Sequence, residues 1–396
     1  MRHGFTTGSC AAAASAAAAY MLLTGREMKE ILIDTPKGVP FTAEILEVTR
    51  GEKSVKCAVR KDAGDDPDIT NGSLVFSEVT VVEGGARWEH AEEVPSGASN
   101  EGKGASSPKP YQDSDVEIRI DGGEGVGRVT MPGLDQPMGN AAINSVPRRM
   151  IREEVLKICE FTDFHGVLSC LISIPAGVNL AKKTFNPKLG IVGGISVLGT
   201  SGVVEPMSMR ALLETIRVEL NVRKAGGYEN VIVAPGNYGR DFLKREYGYD
   251  IDKSVKCSNF IGDAIDMAAD LGFQKMLLVG HIGKLIKVSG GVMNTHSREG
   301  DCRMELLAAS ALLAGADGDT ARSLLSCVTT EDGITILNEA GLTERTMEIV
   351  FEKVMAALEK RADERIEMEC ILYSNVFGVL AKSPGAEDML RENTLD

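Results

Sequence analysis

Apolar positions change their rhythm partway along this chain. Up to about residue 121 they come in short alternating runs: EILID from Glu30, FTAEILEV from Phe41, SVKCAV from Ser54, LVFSEVTVV from Leu74 and EIRID from Glu117. Period-two alternation of this kind predicts half-buried strands. Two helices are expected among them. One is the alanine run after FTTGSC, with Thr6, Thr7 and Ser9 as candidate caps and Gly25 as its stop. The other covers 147–160, with Pro147 in its first turn, and leads into the buried strand GVLSCLISIP. A third helix follows in PMSMRALLETIRVELNVRKAGG, with Leu212, Leu213, Ile216 and Leu220 on one stripe.

Beyond Gly226–Gly227 the runs become continuous. NVIVA, KMLLVG and IEMECILYS read as strands buried on both faces, separated by helical patterns such as SNFIGDAIDMAADLGF and ERTMEIVFEKVMAALEKRA. The expected architecture is an α+β N-terminal domain, residues 1–225, with a mixed or antiparallel sheet. An α/β domain, residues 226–396, follows it with a partly parallel sheet. Ligands in such sheets bind past the carboxyl ends of the strands, which places attention on APGNYGRD and VGHIGK. Residues 84–113 are polar, rich in Gly, Ser and Pro, and read as a dispensable hairpin insertion; Trp88 and His90 within it receive no role.

Charge narrows the partners. With 43 basic residues against 57 acidic ones the chain carries a formal charge of −14, which argues against nucleic acid as a general ligand. An anionic ligand would need a local basic pocket. Eight cysteines are scattered without a CxxC pair, so no zinc cluster or disulfide framework is expected and a reducing cytoplasm is implied. The alanine run loosely imitates a signal peptide, but no apolar stretch approaches the roughly eighteen residues that span a bilayer, and no membrane partner is expected.

Few side chains announce chemistry. There is no P-loop, and GGEGVG at 122–127 runs into TMPGL rather than a helix, so it is a poor dinucleotide fingerprint. Arg148, Arg149 and Arg152 cluster at one helix end, and Lys182, Lys183 and Lys188 flank an uncharged stretch from Gly190 to Gly202. Two readings stand: a solvated face paired with Glu153 and Glu154, or the rim of a polyanion pocket. Within the uncharged stretch, Gly193, Gly194 and Thr200 are candidate ligand contacts, because glycines there permit close approach to the main chain. The alternative is packing of helix against strand. Asp65, Asp66 and Asp68 crowd one turn, which either closes on itself or takes up a cation. Cys10, near a helix start, is either a packing residue or a reactive thiol. His281 and His296 lie in loops of the second half and are candidates for proton transfer.

FTTGSCAAAA, VRKDAGDDPDIT, GGEGVGRVTMPGL, AAINSVPRRMI, LAKKTFNPKLGIVGGISVLGTSGVVEPMS, VIVAPGNYG and LVGHIGKLIKVSGGVMNTHS occur in that order. Together they resemble the cobalt-precorrin-5B C1-methyltransferase (CbiD) family of anaerobic cobalamin biosynthesis, from the first residues to about residue 380; the 84–113 insertion departs from it. The resemblance implies transfer of a methyl group from S-adenosylmethionine to C1 of a cobalt-bearing tetrapyrrole, with cobalt arriving only inside the substrate. The macrocycle's carboxylates would then meet Arg148, Arg149, Lys182 and Lys183. Gly236, Asn237, Tyr238, Gly280, His281, Gly283, Lys284, Asn294 and Thr295 are assigned to the methyl donor by inference from the strand ends. Asp65 and Asp66 would help bind the sulfonium charge. No protein metal site is expected, and a homo-oligomer stays open. The rival readings are a small-molecule kinase, with GGISVLGTSG around a nucleotide phosphate, and a non-catalytic corrinoid carrier.

Overall fold

The computed structural model describes residues 2–82, 116–206 and 208–393, so the stretch expected to be an insertion lies outside the described residues. Packing divides the chain into two compact units. The first is Met1–Met131 with Asp135–Met207; the second is Ser208–Asp396 together with Pro132–Leu134. The break falls ahead of the third helix, not at Gly226, because Ile216 and Leu220 of that helix are sealed into the second unit's core.

In the first unit, helix α1 (Thr7–Thr24) is capped as its sequence demands: the Thr6 side chain accepts from the Ser9 amide, and Gly25 closes the helix in the left-handed region at φ 71°. By length and composition this helix could cross a membrane, but its alanines are buried in the core of the unit. Small side chains allow that: β-strands pack on one side and a second helix on the other, so every face must be slim. A hairpin follows, β1 (Glu30–Asp34) with β2 (Pro40–Glu44), burying Ile31, Ile33, Phe41 and Ala43 on its inner face. The main sheet comprises β3 (Leu46–Arg50), β4 (Ser54–Arg60), β5 (Leu74–Val82), β6 (Val116–Gly122) and β7 (Gly166–Ser173). Its order is β3-β4-β5-β7-β6. Neighbours are antiparallel except β7 and β6, which run parallel and are joined by helix α2 (Ser145–Thr162), the crossover a parallel pair requires. Helix and sheet share polar contacts where the sequence offers them: Ser15 Oγ lies 2.8 Å from Ser77 Oγ, and Cys57 Sγ donates to the Ala14 carbonyl at 3.3 Å.

The second unit begins with α3 (Met209–Ala225), of which Ile216 and Leu220 are buried while Leu212 stays half exposed, narrowing the expected apolar stripe. Strands β8 (Asn230–Ala234), β9 (Val255–Lys256), β10 (Lys275–His281), β11 (Glu367–Ser374) and β12 (Gly378–Lys382) form one sheet in the order β9-β8-β10-β11-β12. All pairs are parallel except the last. Alternate residues enter two cores. Val231, Val233, Met276, Leu278, Cys370 and Leu372 join one apolar cluster, whereas Ile232, Leu277, Val279, Ile371 and Tyr373 join another. Helices therefore cover both faces, as the continuous apolar runs require.

Where the sequence suggested loops, helices begin at once. Helix α4 (Asn237–Tyr247) starts three residues past β8, and α6 (Ile282–Val288) starts on the residue after β10. Between them lies α5 (Ile261–Asp270), and after them α7 (Arg303–Leu313), α8 (Gly318–Leu325), α9 (Thr330–Glu339) and α10 (Thr343–Ala362). A last helix, α11 (Ala386–Glu392), follows β12.

Candidate functional site

Read by sequence order, the second unit's strands run 2-1-3-4-5, and the order reverses between β8 and β10. In a doubly wound sheet the crevice at the carboxyl ends of those two strands is the ligand position, since the chain leaves them in opposite directions. The structure brings several expected residues there. Gly236 follows β8 at φ 92°, at the start of α4, whose N-terminus has no side-chain cap. The nearest atom to a Cβ at Gly236 would be Lys284 Nζ, 4.0 Å away. Lys284 itself donates to Asn259 Oδ1 at 2.9 Å and to the Ser258 carbonyl at 3.3 Å. Burial pushes its ammonium below the usual lysine range. Ser258 is held at φ 54°, a strained value for a serine. Thr295 joins the group, its hydroxyl 3.3 Å from Asn259 Oδ1 and its amide on the Asn259 carbonyl.

His281 ends β10 and caps α6. Its Nδ1 accepts the Gly283 amide at 3.1 Å, so its ring proton sits on Nε2. Nε2 lies 2.7 Å from Glu331 Oε1, near the first turn of α9, in an ion-pair contact without the alignment of a hydrogen bond. The same carboxylate accepts from Thr330 Oγ1 at 3.0 Å and Ser374 Oγ at 3.3 Å. Tyr373 stands edge-on to the imidazole with centroids 5.4 Å apart, and burial raises its phenol well above the usual range. Sequence reading missed Glu331, Asn259, Ser258, Tyr373 and Ser374. A signal existed for the first: Thr329 and Asp332 form a capping box, which marks a helix start with Glu331 in its first turn.

Other candidates separate from this cluster. His296 is exposed in a turn where its Nδ1 accepts the Arg298 amide; Asn294 Oδ1 accepts the amide of His296. Gly280 is needed for packing, since a Cβ would sit 2.5 Å from Leu285 Cγ. Of Asn237 and Tyr238 the backbone alone is described, in the first turn of α4.

In the first unit the arginine group dissolves into separate roles. Arg148 spends its guanidinium on main-chain carbonyls: Nε to Ile143 at 2.8 Å, Nη1 to Ile120 at 2.9 Å and Nη2 to Ala141 at 3.3 Å. Burial lowers its pKa. Arg149 is exposed with Glu153 at 3.9 Å, the solvated-face reading. Asp65 is taken up by the chain's own start, accepting the Arg2 amide at 2.6 Å, and the Asp66 amide bonds the Ala63 carbonyl. Asp68 pairs with the buried Lys61 at 2.6 Å. Cys10 is fully buried and its thiol is pushed up to about 12, which removes it as a nucleophile.

The glycines of 190–202 meet mostly their own chain. A Cβ at Gly194 would lie 2.3 Å from the Gly125 carbonyl carbon, one at Gly199 2.3 Å from Thr6 Oγ1, and one at Gly202 2.8 Å from Thr35 Cβ. Gly193 differs, with nothing within 4 Å and φ 86°. Close to it in sequence, Val192, Phe185 and Val178 are about half exposed, and Lys182, Lys183 and Thr200 are exposed.

Comparison with known proteins supplies the family. The CbiD family model matches residues 1–206, ending where the first unit ends, and the model of the CbiD C-terminal domain matches residues 294–384. The chain is 42% identical over 397 residues to the cobalt-precorrin-5B C(1)-methyltransferase of Ruminiclostridium cellulolyticum, covering 99% of this chain and 95% of that one. It is 37% identical to the protein of that name from Methanocaldococcus jannaschii, covering 94% of each. A crystal structure of cobalamin biosynthesis protein (cbiD) from Archaeoglobus fulgidus aligns with 25% identity and a TM-score of 0.37, covering 76% of this chain and 84% of that one. With likeness of this extent along both units, the chain belongs to the CbiD family.

Proposed function

We propose that this protein is an S-adenosylmethionine-dependent C-methyltransferase that methylates C1 of cobalt-precorrin-5B to give cobalt-precorrin-6A. The observation that carries the reading is the 42% identity over 99% of the chain to a relative bearing that name. A bound sulfonium donor supplies an activated methyl group. In one displacement the C1–CH3 bond forms, the S–CH3 bond breaks and its electron pair stays on sulfur. No covalent enzyme intermediate is required, and the protein's work is alignment, which can contribute up to roughly 7–11 kcal/mol.

The donor's place on this reading is the crevice past β8 and β10. A left-handed glycine, an uncapped helix start, a half-buried ammonium and a held carboxylate converge there. The macrocycle's place is the open surface around Gly193, where a flat apolar ring could lie on Val178, Phe185 and Val192 while Lys182 and Lys183 meet its acid arms. Arg148 is left out of the rim on this reading, because three of its five donors hold main-chain carbonyls. Cobalt enters as part of the substrate, and a cytoplasmic location accords with this chemistry.

The test is incubation with methyl-labelled S-adenosylmethionine and cobalt-precorrin-5B. Label on the macrocycle at C1 is expected. Its absence from the product, with both reactants intact, overturns the assignment.

A further inference from the structure

Two charges near the β10 carboxyl end form no ion pair with an opposite lysine, arginine or carboxylate among the described residues. Lys284 is half buried, yet its bonds go to a carbonyl and an amide oxygen, and among the described residues no carboxylate pairs with it. Glu331 accepts from two hydroxyls and lies against His281; among the described residues no lysine or arginine forms an ion pair with it, and Arg303, close enough to sense its charge, is already paired with Asp301 at 2.6 Å. The two also form no ion pair with each other, although His281, which contacts Glu331, and Lys284 stand three residues apart.

The first turn of α4 links them. Its leading glycine, Gly236, faces Lys284 Nζ, and a Cβ at Gly239 would lie 3.7 Å from the Tyr373 hydroxyl, whose ring meets His281. Lys284 and Tyr373, the neighbour of His281, thus both border the first turn of α4. A half-buried ammonium without a counter-anion is costly unless a ligand supplies one. A carboxylate braced by neutral donors and a histidine cap is likewise prepared for a cation.

We infer that Lys284 and Glu331 form a clamp for the α-amino acid end of the methyl donor, Lys284 taking its carboxylate and Glu331 its ammonium. This rests on the donor reading above and names which part of the donor is recognised. Ligand chemistry decides between the alternatives. A phosphate would satisfy Lys284 but be repelled by Glu331, and a ribose diol would satisfy Glu331 but leave Lys284 unmatched. A zwitterion satisfies both and adds no net charge. His281 is a positioning residue here: its Nδ1 accepts the Gly283 amide and its Nε2 lies 2.7 Å from Glu331 Oε1, so it packs against the carboxylate and does not touch the ligand.

The test is calorimetric titration of the full chain with S-adenosylhomocysteine and with 5′-methylthioadenosine, which has the adenosine and thioether but lacks the amino acid. The wild type should prefer the homocysteine compound. Lys284→Met and Glu331→Gln should each weaken its binding by roughly 10–100-fold, the range of a lost charge-assisted bond, and leave methylthioadenosine within about twofold. Retained methylthioadenosine binding also shows that the variant is folded, and Lys284→Arg should recover part of the loss. Unchanged preference in both variants overturns the clamp, as does an equal loss for both ligands. A wild type that transfers labelled methyl but shows no preference between the ligands sinks the clamp and leaves the methyltransferase reading standing. A wild type that neither binds nor transfers sinks both.

Discussion

Two glycine-rich regions look alike in sequence and differ in what they leave room for. At 190–202, in the first unit, the glycines admit the chain's own atoms: Gly125 against Gly194, Thr6 against Gly199, Thr35 against Gly202. At the β8 end, in the second unit, Gly236 takes a left-handed conformation with only the tip of Lys284 near it. In the first case a methyl group has nowhere to go; in the second, space remains for something outside the chain. A run of glycines therefore reports that something approaches the backbone closely. It does not report whether that something is a ligand.

The contrast is broken most sharply by Gly194→Ala. Its added carbon would overlap the Gly125 backbone, which has no flexible end to withdraw, so a loss of about 3–5 kcal/mol is expected. Gly193→Ala, one residue away in open space at φ 86°, should cost only about 1–2 kcal/mol, the ordinary penalty for a side chain in the left-handed region. Urea midpoints of the two variants measure the difference. Equal midpoints would mean that the close packing of 194 on 125 does not constrain the fold.

Next in size is Arg148. Its fork holds three main-chain carbonyls at the junction of β6, α2 and the loop before α2. Arg148→Met keeps the apolar stem and strips the donors, leaving carbonyls unsatisfied, at a cost of about 2–3 kcal/mol. Affinity for the macrocycle in the folded variant should be unchanged. A tetrapyrrole affinity that collapses while the urea midpoint stays put would return Arg148 to the binding rim.

Much of this was legible in the sequence, for identifiable reasons. The first unit's strands carry period-two alternation, and α2, expected over 147–160, spans Ser145–Thr162. The parallel sheet showed through its continuous apolar runs. What failed were the helices at the strand ends. Gly236, Gly239 and Gly283 read as loop residues, yet Gly239 and Gly283 lie inside helices. There a Cβ would press on the Val279 carbonyl at 3.0 Å and on His281 Nδ1 at 3.2 Å. Glu331 escaped for another reason: fifty residues separate it from His281, and only the parallel pairing of β10 with β11 and the return through α9 bring it there. The domain boundary was misplaced because the glycine pair at 226 looked like a linker, while α3 had already joined the second core.

A smaller effect distinguishes the acidic turn from a ligand site. Burial alone would raise the Asp68 carboxyl, but the Lys61 ammonium and the bonds from Thr70 outweigh it and hold the group below the usual range. A depressed folded-state value means stability that is present above the unfolded carboxylate pKa of about 3.9 and is lost as pH falls through the folded value. Asp68→Asn should lower the urea midpoint at pH 7 by about 1–2 kcal/mol of stability and flatten the fall below about pH 4. Identical acid limbs in variant and wild type would show that the Lys61–Asp68 pair contributes nothing to folding.

The smallest expected effect on stability belongs to Lys182 and Lys183. Both are exposed, in a short helical turn with no carboxylate recorded against them among the described residues. Changing both to glutamine should shift the unfolding midpoint by less than about 0.5 kcal/mol, as surface changes do. Yet if the Gly193 surface carries the macrocycle, losing two cations that meet its carboxylates should raise KM for the tetrapyrrole by roughly tenfold and leave kcat nearly unchanged, since the ring's acid arms are bound equally before and during methyl transfer. KM for S-adenosylmethionine should stay put if the donor is held, as proposed, at the β8 and β10 strand ends. The pattern separates the two glycine-rich regions by function, as Gly193 and Gly194 separate an open from a filled position within the first. If tetrapyrrole KM is indifferent to both lysines, the open glycine is merely a turn and the macrocycle must lie elsewhere.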